Sequence, residues 1–324
     1  MKDPFFRARR LREHPTTRSW CRETILSKEM FIYPVFVVPG KKIKEEIPSM
    51  PGIFHYSIDT LLPHLKGLIQ SGLKSIIVFG VPQKKDSMGK EAYRANGIVQ
   101  QAIKAVKKSF PELYIISDVC LCQYTSHGHC GIVKNGIIEN DPTLELLAKT
   151  ALSQVNAGAD MVAPSDMMDG RISVIRQCLN GAGFTHIPIM SYSAKYSSAF
   201  YGPFREAAHS APQFGNRASY QMDPTNSKEA MREIWADIEE GADIIMVKPA
   251  LAFLDIIKQA DLDFNIPIAA YNVSGEFSMV KAAAEKGWID EKKVTLEILT
   301  GIVRAGARII LSYHTPDVIK WLEE

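Results

Sequence analysis

The sequence predicts one (β/α)₈ barrel, a TIM-barrel α/β fold, carried on a chain of 324 residues with an extended N-terminal arm. Three observations support this. Eight short, continuously apolar and β-branched runs recur along the chain. Amphipathic stretches with apolar residues three and four apart separate them, and glycines follow those stretches where a left-handed helix cap is wanted. Runs without alternation suit strands buried on both faces, as in a parallel sheet. Eight strand–helix alternations then fit a closed barrel. A doubly wound open sheet is the alternative, but no Gly-x-Gly-x-x-Gly follows an early strand.

Residues 1–28 are rich in Arg and Glu and have few regularly spaced apolar positions. The stretch Arg7-Ala-Arg-Arg-Leu-Arg-Glu reads as a solvated arm, either a plain tail or a segment that wraps a neighbouring subunit. Residues 29–324 form the catalytic barrel. The eight runs are residues 32–38, 75–80, 114–120, 161–165, 187–193, 243–249, 267–273 and 307–313. Helical spacing covers 58–70, 96–108, 143–156, 173–180, 227–240, 276–285 and 291–304. Gly72, Gly158, Gly241, Gly287 and Gly306 follow helices. The phrase Ala157-Gly-Ala-Asp160, echoed in Glu240-Gly-Ala-Asp243, is a helix end feeding the next strand.

A hydrophobic fraction of 46% is enough for a sizeable core, and a formal net charge of +2 gives no reason to expect a nucleic-acid or lipid partner. No apolar run reaches the length of a membrane span, and Met1-Lys-Asp-Pro-Phe-Phe-Arg lacks the apolar stretch of a signal peptide, so the expected location is the cytoplasm. In that reducing setting five cysteines, three of them within eleven residues, read as metal-binding or catalytic rather than as a disulfide frame.

Chemistry in such barrels sits at the C-terminal ends of the strands. Lys248 ends the sixth run, in Ile244-Ile-Met-Val-Lys-Pro249. Desolvation there disfavours the ammonium and frees the amine to attack a carbonyl. The competing reading is a lysine that snorkels into water. Lys195 ends the neighbouring fifth strand, and two close ammonium groups depress each other. After Lys195 comes a long, weakly periodic segment to Gln221, a candidate lid. It carries Arg205 and Arg217, whose planar guanidinium suits a carboxylate, although surface arginines are common in long loops.

The third run leads into Cys120, Cys122 and Cys130, spaced Cys-x-Cys-x₇-Cys. Alternation along a strand puts the first two on one side, and Gly128 and Gly131 let the chain fold Cys130 back. Three thiolates suit Zn²⁺ and leave a fourth position open. His127 and His129 read as supporting groups rather than ligands. Three unrelated buried thiols are the alternative. Cys21 and Cys178 lie elsewhere and read as free.

Four segments together resemble the porphobilinogen synthase (5-aminolevulinate dehydratase) family. They are Asp118-Val-Cys-Leu-Cys-Gln-Tyr-Thr-Ser-His-Gly-His-Cys130, Met190-Ser-Tyr-Ser-Ala-Lys-Tyr-Ser-Ser-Ala-Phe-Tyr-Gly-Pro-Phe-Arg205, Met246-Val-Lys-Pro249 and Tyr271-Asn-Val-Ser-Gly-Glu-Phe277. The resemblance runs from about Arg9 to the C-terminus. It implies a lyase of heme biosynthesis that condenses two molecules of 5-aminolevulinate to porphobilinogen with loss of two waters. It further implies a homo-octamer built from arm-hugging dimers. By the same resemblance Lys248 and Lys195 each form a Schiff base, with Lys248 holding the substrate that becomes the propionate side and Lys195 the acetate side. Arg205, Arg217 and Gln221 hold one carboxylate, and Ser274 and Tyr313 the other. Cys120, Cys122 and Cys130 match the zinc-dependent branch, and Glu233 falls where many bacterial members bind an allosteric Mg²⁺. A class I aldolase or lyase on the same barrel would share the strand-six lysine but predicts neither the second lysine nor the cysteines. A non-catalytic zinc protein would need a fourth ligand, and no fourth cysteine lies nearby.

Overall fold

The computed structural model describes residues 6–323, so the first five residues of the expected arm lie outside the described residues. Eight strands form the barrel: β1 (Phe31–Val37), β2 (Ser75–Gly80), β3 (Tyr114–Val119), β4 (Met161–Pro164), β5 (Met190–Lys195), β6 (Ile244–Lys248), β7 (Ile268–Asn272) and β8 (Ile309–Ser312). They pair in parallel in the order β4-β3-β2-β1-β8-β7-β6-β5. A single bridge between Val162 and Ile189 brings β4 and β5 together and nearly closes the ring. The chain approaching β5 contains Pro188, which has no N–H for the ladder and offers only its carbonyl, 3.2 Å from the Val162 amide. That is why the fifth strand starts three residues later than its apolar run and ends on Lys195.

The continuous apolar runs are buried on both faces, as their composition requires: all seven residues of β1 are buried. The helices are α1 (Ile58–Gln70), α2 (Ile98–Ser109), α3 (Asn140–Asn156), α4 (Arg171–Gly181), α5 (Lys228–Glu239), α6 (Leu254–Asp263), α7 (Ser274–Glu285), α8 (Glu291–Ala305) and α9 (Thr315–Trp321). Each turns one apolar stripe inward. In α1 the stripe is Leu61, Leu65 and Leu68, each contributing roughly 1.5–3 kcal/mol of burial as an upper estimate. Helix α2 repeats the device with Val99, Ala102, Ile103 and Val106. Helices α6 and α9 do not stand out in the sequence. The α6 stripe is only Ile256, Ile257 and Ala260, set among acidic and polar residues.

Two short hairpin-like pairings decorate the barrel. Lys44–Glu46 pairs with Phe54–Tyr56, and the latter strand also lies beside the end of β1, with His55 opposite Phe36. Ile132–Lys134 pairs with Ile137–Glu139 beyond the cysteine loop. Ahead of the barrel, helix Pro15–Trp20 begins on His14, whose ring accepts from the Thr16 amide. None of its residues is buried in the protomer.

Candidate active site

Lys195 and Lys248 are register partners on adjacent strands β5 and β6. Both side chains are buried, each with 4% of its surface exposed. The Lys195 ammonium donates to the Ser165 carbonyl at the end of β4. Burial, reinforced by the Lys195 charge, pushes the Lys248 amine down to about 7. Tyr192 lies beneath both, its ring centroid 5.7 Å from Lys195 Nζ and 5.1 Å from Lys248 Nζ. Both amines line one tight pocket together with Asp118, Cys122, Arg217 and Phe204. Four roomier clefts lie elsewhere among the described residues, and none is lined by a buried amine or thiol. Size therefore does not mark the reactive site; the converging chemistry does.

The segment after β5 folds over this cavity. It forms a turn at Ala199–Tyr201 and a short helix, Gly202–Ala207. Phe204 from that helix sits 5.0 Å from Lys248 Nζ. Arg217 is buried and donates to the carbonyls of Gly128 and Ser210 at 2.9 and 2.6 Å. Its Nε, the Nε of half-buried Arg205 and both amide atoms of buried Gln221 have no hydrogen-bond partner. Burial, with Arg217 nearby, lowers Arg205. For Arg217 burial acts in the same downward direction, but the neighbouring thiols Cys130 and Cys122 outweigh it and the net shift is upward. Ser274, at the start of α7, accepts the Phe204 amide at 3.0 Å. Tyr313 follows β8 and shares a 2.9 Å hydrogen bond with the hydroxyl of Tyr271. Of the expected carboxylate-binding residues, Arg217 lines the lysine cavity, Arg205 and Ser274 adjoin its lining residue Phe204, Tyr313 stands behind Tyr271, and Gln221 borders a separate cleft.

Cys120, Cys122 and Cys130 are buried, and their sulfur atoms all lie within 4.8 Å of one another. Tetrahedral coordination at ordinary Zn–S lengths places thiolates roughly 3.8 Å apart, so the donor set fits such an ion with little movement. The means of convergence differs from simple strand alternation. Strand β3 ends at Val119, and Cys120 and Cys122 lie in the turn beyond it, with their sulfurs 3.4 Å apart. Gly128 has φ +73° and a Cβ there would meet the Ala211 carbonyl at 2.4 Å, so only glycine fits where the loop passes beneath Ala211. The two sulfur neighbours of Cys130 hold it well below the usual thiol range, with Arg217 assisting. His129 is fully buried yet turned to the segment after β5, contacting Phe214 O at 3.0 Å and Tyr220 Oη at 3.1 Å. His127 contacts the Ser87 carbonyl at 3.3 Å. Neither histidine joins the converging donor set. Cys21 and Cys178 are free thiols away from it.

Two residues of the site escape motif-based assignment. Asp118, near the end of β3, is buried, accepts from Gln123 Nε2 at 3.1 Å, and has an unpartnered Oδ1. Burial raises its carboxyl, while Ser165, Gln123 and both lysine charges oppose that rise. Glu276 is buried beneath the chain that leaves β6. It accepts the amides of Leu251 and Val273, both at 2.8 Å, and the Asn272 side chain at 2.9 Å, tying the ends of β6 and β7 together. An acidic residue at or just past a barrel-strand end is the sequence signal that identifies both. Glu233 lies on α5, outside the lysine cavity, in a cleft shared with Asp169, Tyr220, Gln221 and Glu229. Burial raises its carboxyl.

Comparison with known proteins agrees with this arrangement. The family model described as delta-aminolevulinic acid dehydratase matches residues 5–321. The chain is 55% identical over 324 residues to the delta-aminolevulinic acid dehydratase of Bacillus subtilis (strain 168), covering all of both chains. It is 56% identical over 320 residues to that of Methanothermus sociabilis, covering 99% of each. Its fold superimposes with a TM-score of 0.96 on the crystal structure of the Toxoplasma gondii ME49 delta-aminolevulinic acid dehydratase (porphobilinogen synthase) in complex with porphobilinogen, at 43% identity over 98% of this chain and 91% of that one. The barrel, the converging lysines and thiols and the full-length similarity together establish that the chain belongs to the delta-aminolevulinic acid dehydratase family of hydro-lyases.

Proposed function

We propose that the chain condenses two molecules of 5-aminolevulinate to porphobilinogen with loss of two waters, holding the substrates as Schiff bases on Lys248 and Lys195. The pairing of these two buried amines in register within one cavity is the observation that carries this reading. The Lys248 amine, brought to about 7, presents a lone pair near neutral pH. It adds to the ketone carbon of the first substrate. The resulting alcohol leaves as water once protonated, and an iminium remains that acidifies the neighbouring carbon. Asp118 carries the only carboxyl among the residues lining that cavity and is the group we assign to move these protons.

The second substrate binds at Lys195. Arg205, Arg217 and Gln221 grip its carboxylate, which supplies acceptors to the two Arg Nε and the Gln221 Nε2 donors that otherwise lack partners. Ser274 and Tyr313 hold the carboxylate of the first. Two fixed carboxylates leave one relative orientation, and hence one regiochemistry. Residues 196–221 act as a lid that excludes water, which would hydrolyse the Schiff bases. Cys120, Cys122 and Cys130 hold a Zn²⁺, which supplies Lewis acidity toward the carbonyl of the second substrate or a ligand site for its amine. Glu233 contributes to a separate Mg²⁺ site that acts allosterically. The protein works in the cytoplasm as a homo-octamer whose subunits are linked by the arm of residues 1–28. No helix among the described residues is long and apolar enough to cross a membrane.

Borohydride reduction in the presence of 5-aminolevulinate, followed by peptide mass spectrometry, tests this reading. The expected adducts are on Lys248 and Lys195. Adducts on neither lysine in active protein would overturn it.

A further inference from the structure

We infer that His55, assisted by Lys85, is a positioning residue: it clasps the C-terminal end of the lid helix Gly202–Ala207 and so sets Phe204 and Arg205 over the lysine cavity. This rests on the reading of residues 196–221 as a lid.

A helix end leaves carbonyls without intrahelical donors. Here the frame of the barrel supplies them. His55 Nε2 lies 2.6 Å from the Ala207 carbonyl. A carbonyl only accepts, so Nε2 carries the hydrogen. The Lys85 ammonium donates to the His209 carbonyl just beyond. Neither donor belongs to the lid. His55 stands on Phe54–Tyr56, opposite Phe36 of β1, and Lys85 follows β2. Both grips are therefore mounted on the barrel, from elements that flank β1.

The turn they hold is unusual. His209 has φ +47°, a left-handed conformation that a non-glycine residue keeps only when its surroundings hold it there. Its ring packs edge-on against His55 at 5.5 Å. The same turn binds the working residues. The Ala208 amide donates to the Phe204 carbonyl at 2.8 Å, and the Ser210 amide to the Arg205 carbonyl at 2.9 Å. A shift at Ala207–Ser210 therefore moves Phe204 and Arg205 with it. Ser274 anchors the segment at Phe204, and Arg217 holds the far end of the turn at the Ser210 carbonyl, so the Ala207 and His209 carbonyls are the ones the clasp holds.

The test uses the full-length metal-loaded enzyme and the variants His55→Ala, His55→Gln and Lys85→Met. The Gln amide keeps a donor for the Ala207 carbonyl. Exchange of amides 202–210, KM, kcat and borohydride trapping at Lys248 are measured. In His55→Ala, exchange across 202–210 should quicken and KM should rise, each by about ten-fold, as for one lost hydrogen bond. Trapping at Lys248 should persist, and kcat should change far less than KM. His55→Gln should recover most of the loss, and Lys85→Met should reproduce it in part. Wild-type exchange and KM in both His55→Ala and Lys85→Met would overturn the clasp. Equal damage in His55→Ala and His55→Gln would also overturn it, since a retained donor to the Ala207 carbonyl would then restore nothing. The lid reading has its own control: failure of porphobilinogen to slow exchange across 196–221 in the wild type would remove the lid, whereas normal protection there with unaffected variants removes the clasp alone.

Discussion

The Nζ of Lys248 lies 4.4 Å from the centroid of the Tyr271 ring. The rings of Phe204, Tyr192 and Tyr201 stand at 5.0, 5.1 and 5.2 Å and complete an aromatic cage. Ring faces favour a cation, whereas loss of water disfavours one. For the free amine the second effect wins, because the Lys195 charge adds to it. Once the amine has become an iminium, the charge is fixed by bonding, and the same rings face it without that competition. The cage thus suits a group that is neutral when it attacks and positive afterwards.

The pH dependence follows from this balance. Below about 7 the Lys248 nitrogen is protonated and has no lone pair; above it the amine is free. Trapping of 5-aminolevulinate on Lys248 should therefore rise with pH through about 7 and then level. Lys195→Met removes a charge that depresses Lys248, so the rise should move to more alkaline pH. Lys248→Met should abolish turnover with an unchanged circular dichroism spectrum. A rise that stays in place without Lys195, or substantial turnover in folded Lys248→Met, would contradict the assignment.

Removal of metal should abolish activity, and Zn²⁺ should restore it. Elemental analysis of wild type should give one ion per three-cysteine site, and Cys130→Ala should lose most of it. Thiolates must shed protons to bind, so affinity should fall as pH drops. Full turnover in protein shown to be metal-free would rule out the role assigned to the cluster.

Leu11 and Trp20 are 58% and 77% exposed on a segment with no buried residue of its own. Apolar side chains so placed suit a surface on another subunit. Deleting residues 1–28 should shift sedimentation toward smaller species and lower activity. An unchanged profile would make the segment a tail.

Much of the barrel is legible in the sequence because burial on both faces forces continuous β-branched runs, and seven helical stripes are long enough to show their period. Strand β5 is offset by Pro188, and it also buries the polar residues Ser191 and Ser193. Ser191 is absorbed by a buried network, donating to Asp237 at 2.6 Å and accepting from Arg171 at 3.0 Å. That compensation joins β5 to α4 and α5 and has no local signature. The two lysines and three cysteines are visible because rare chemistry sits at strand ends. The grip of Ser274 on the lid backbone, and the turning of His129 toward Phe214 and Tyr220, depend on packing between distant segments. Sequence spacing carries no record of such contacts.

The lid yields the last prediction. Arg205 is half-buried on the helix beside Phe204, with an unpartnered Nε and with Arg217 close enough to lower it. Two like charges held in one region favour an anion between them, and a substrate carboxylate supplies it. Closure is then driven by contacts that exist only when substrate is bound. Arg205→Ala should raise KM for the second substrate by an amount equivalent to about 1.5–3 kcal/mol, the range for a hydrogen bond to a charged group. Schiff-base formation at Lys248 should survive, because in the proposed reading Ser274 and Tyr313, not Arg205, hold the first substrate. Hydrogen exchange across residues 196–221 should slow when porphobilinogen binds wild type, and slow less in Arg205→Ala. Exchange that is already slow without ligand and unchanged by it would show that the segment is a fixed wall.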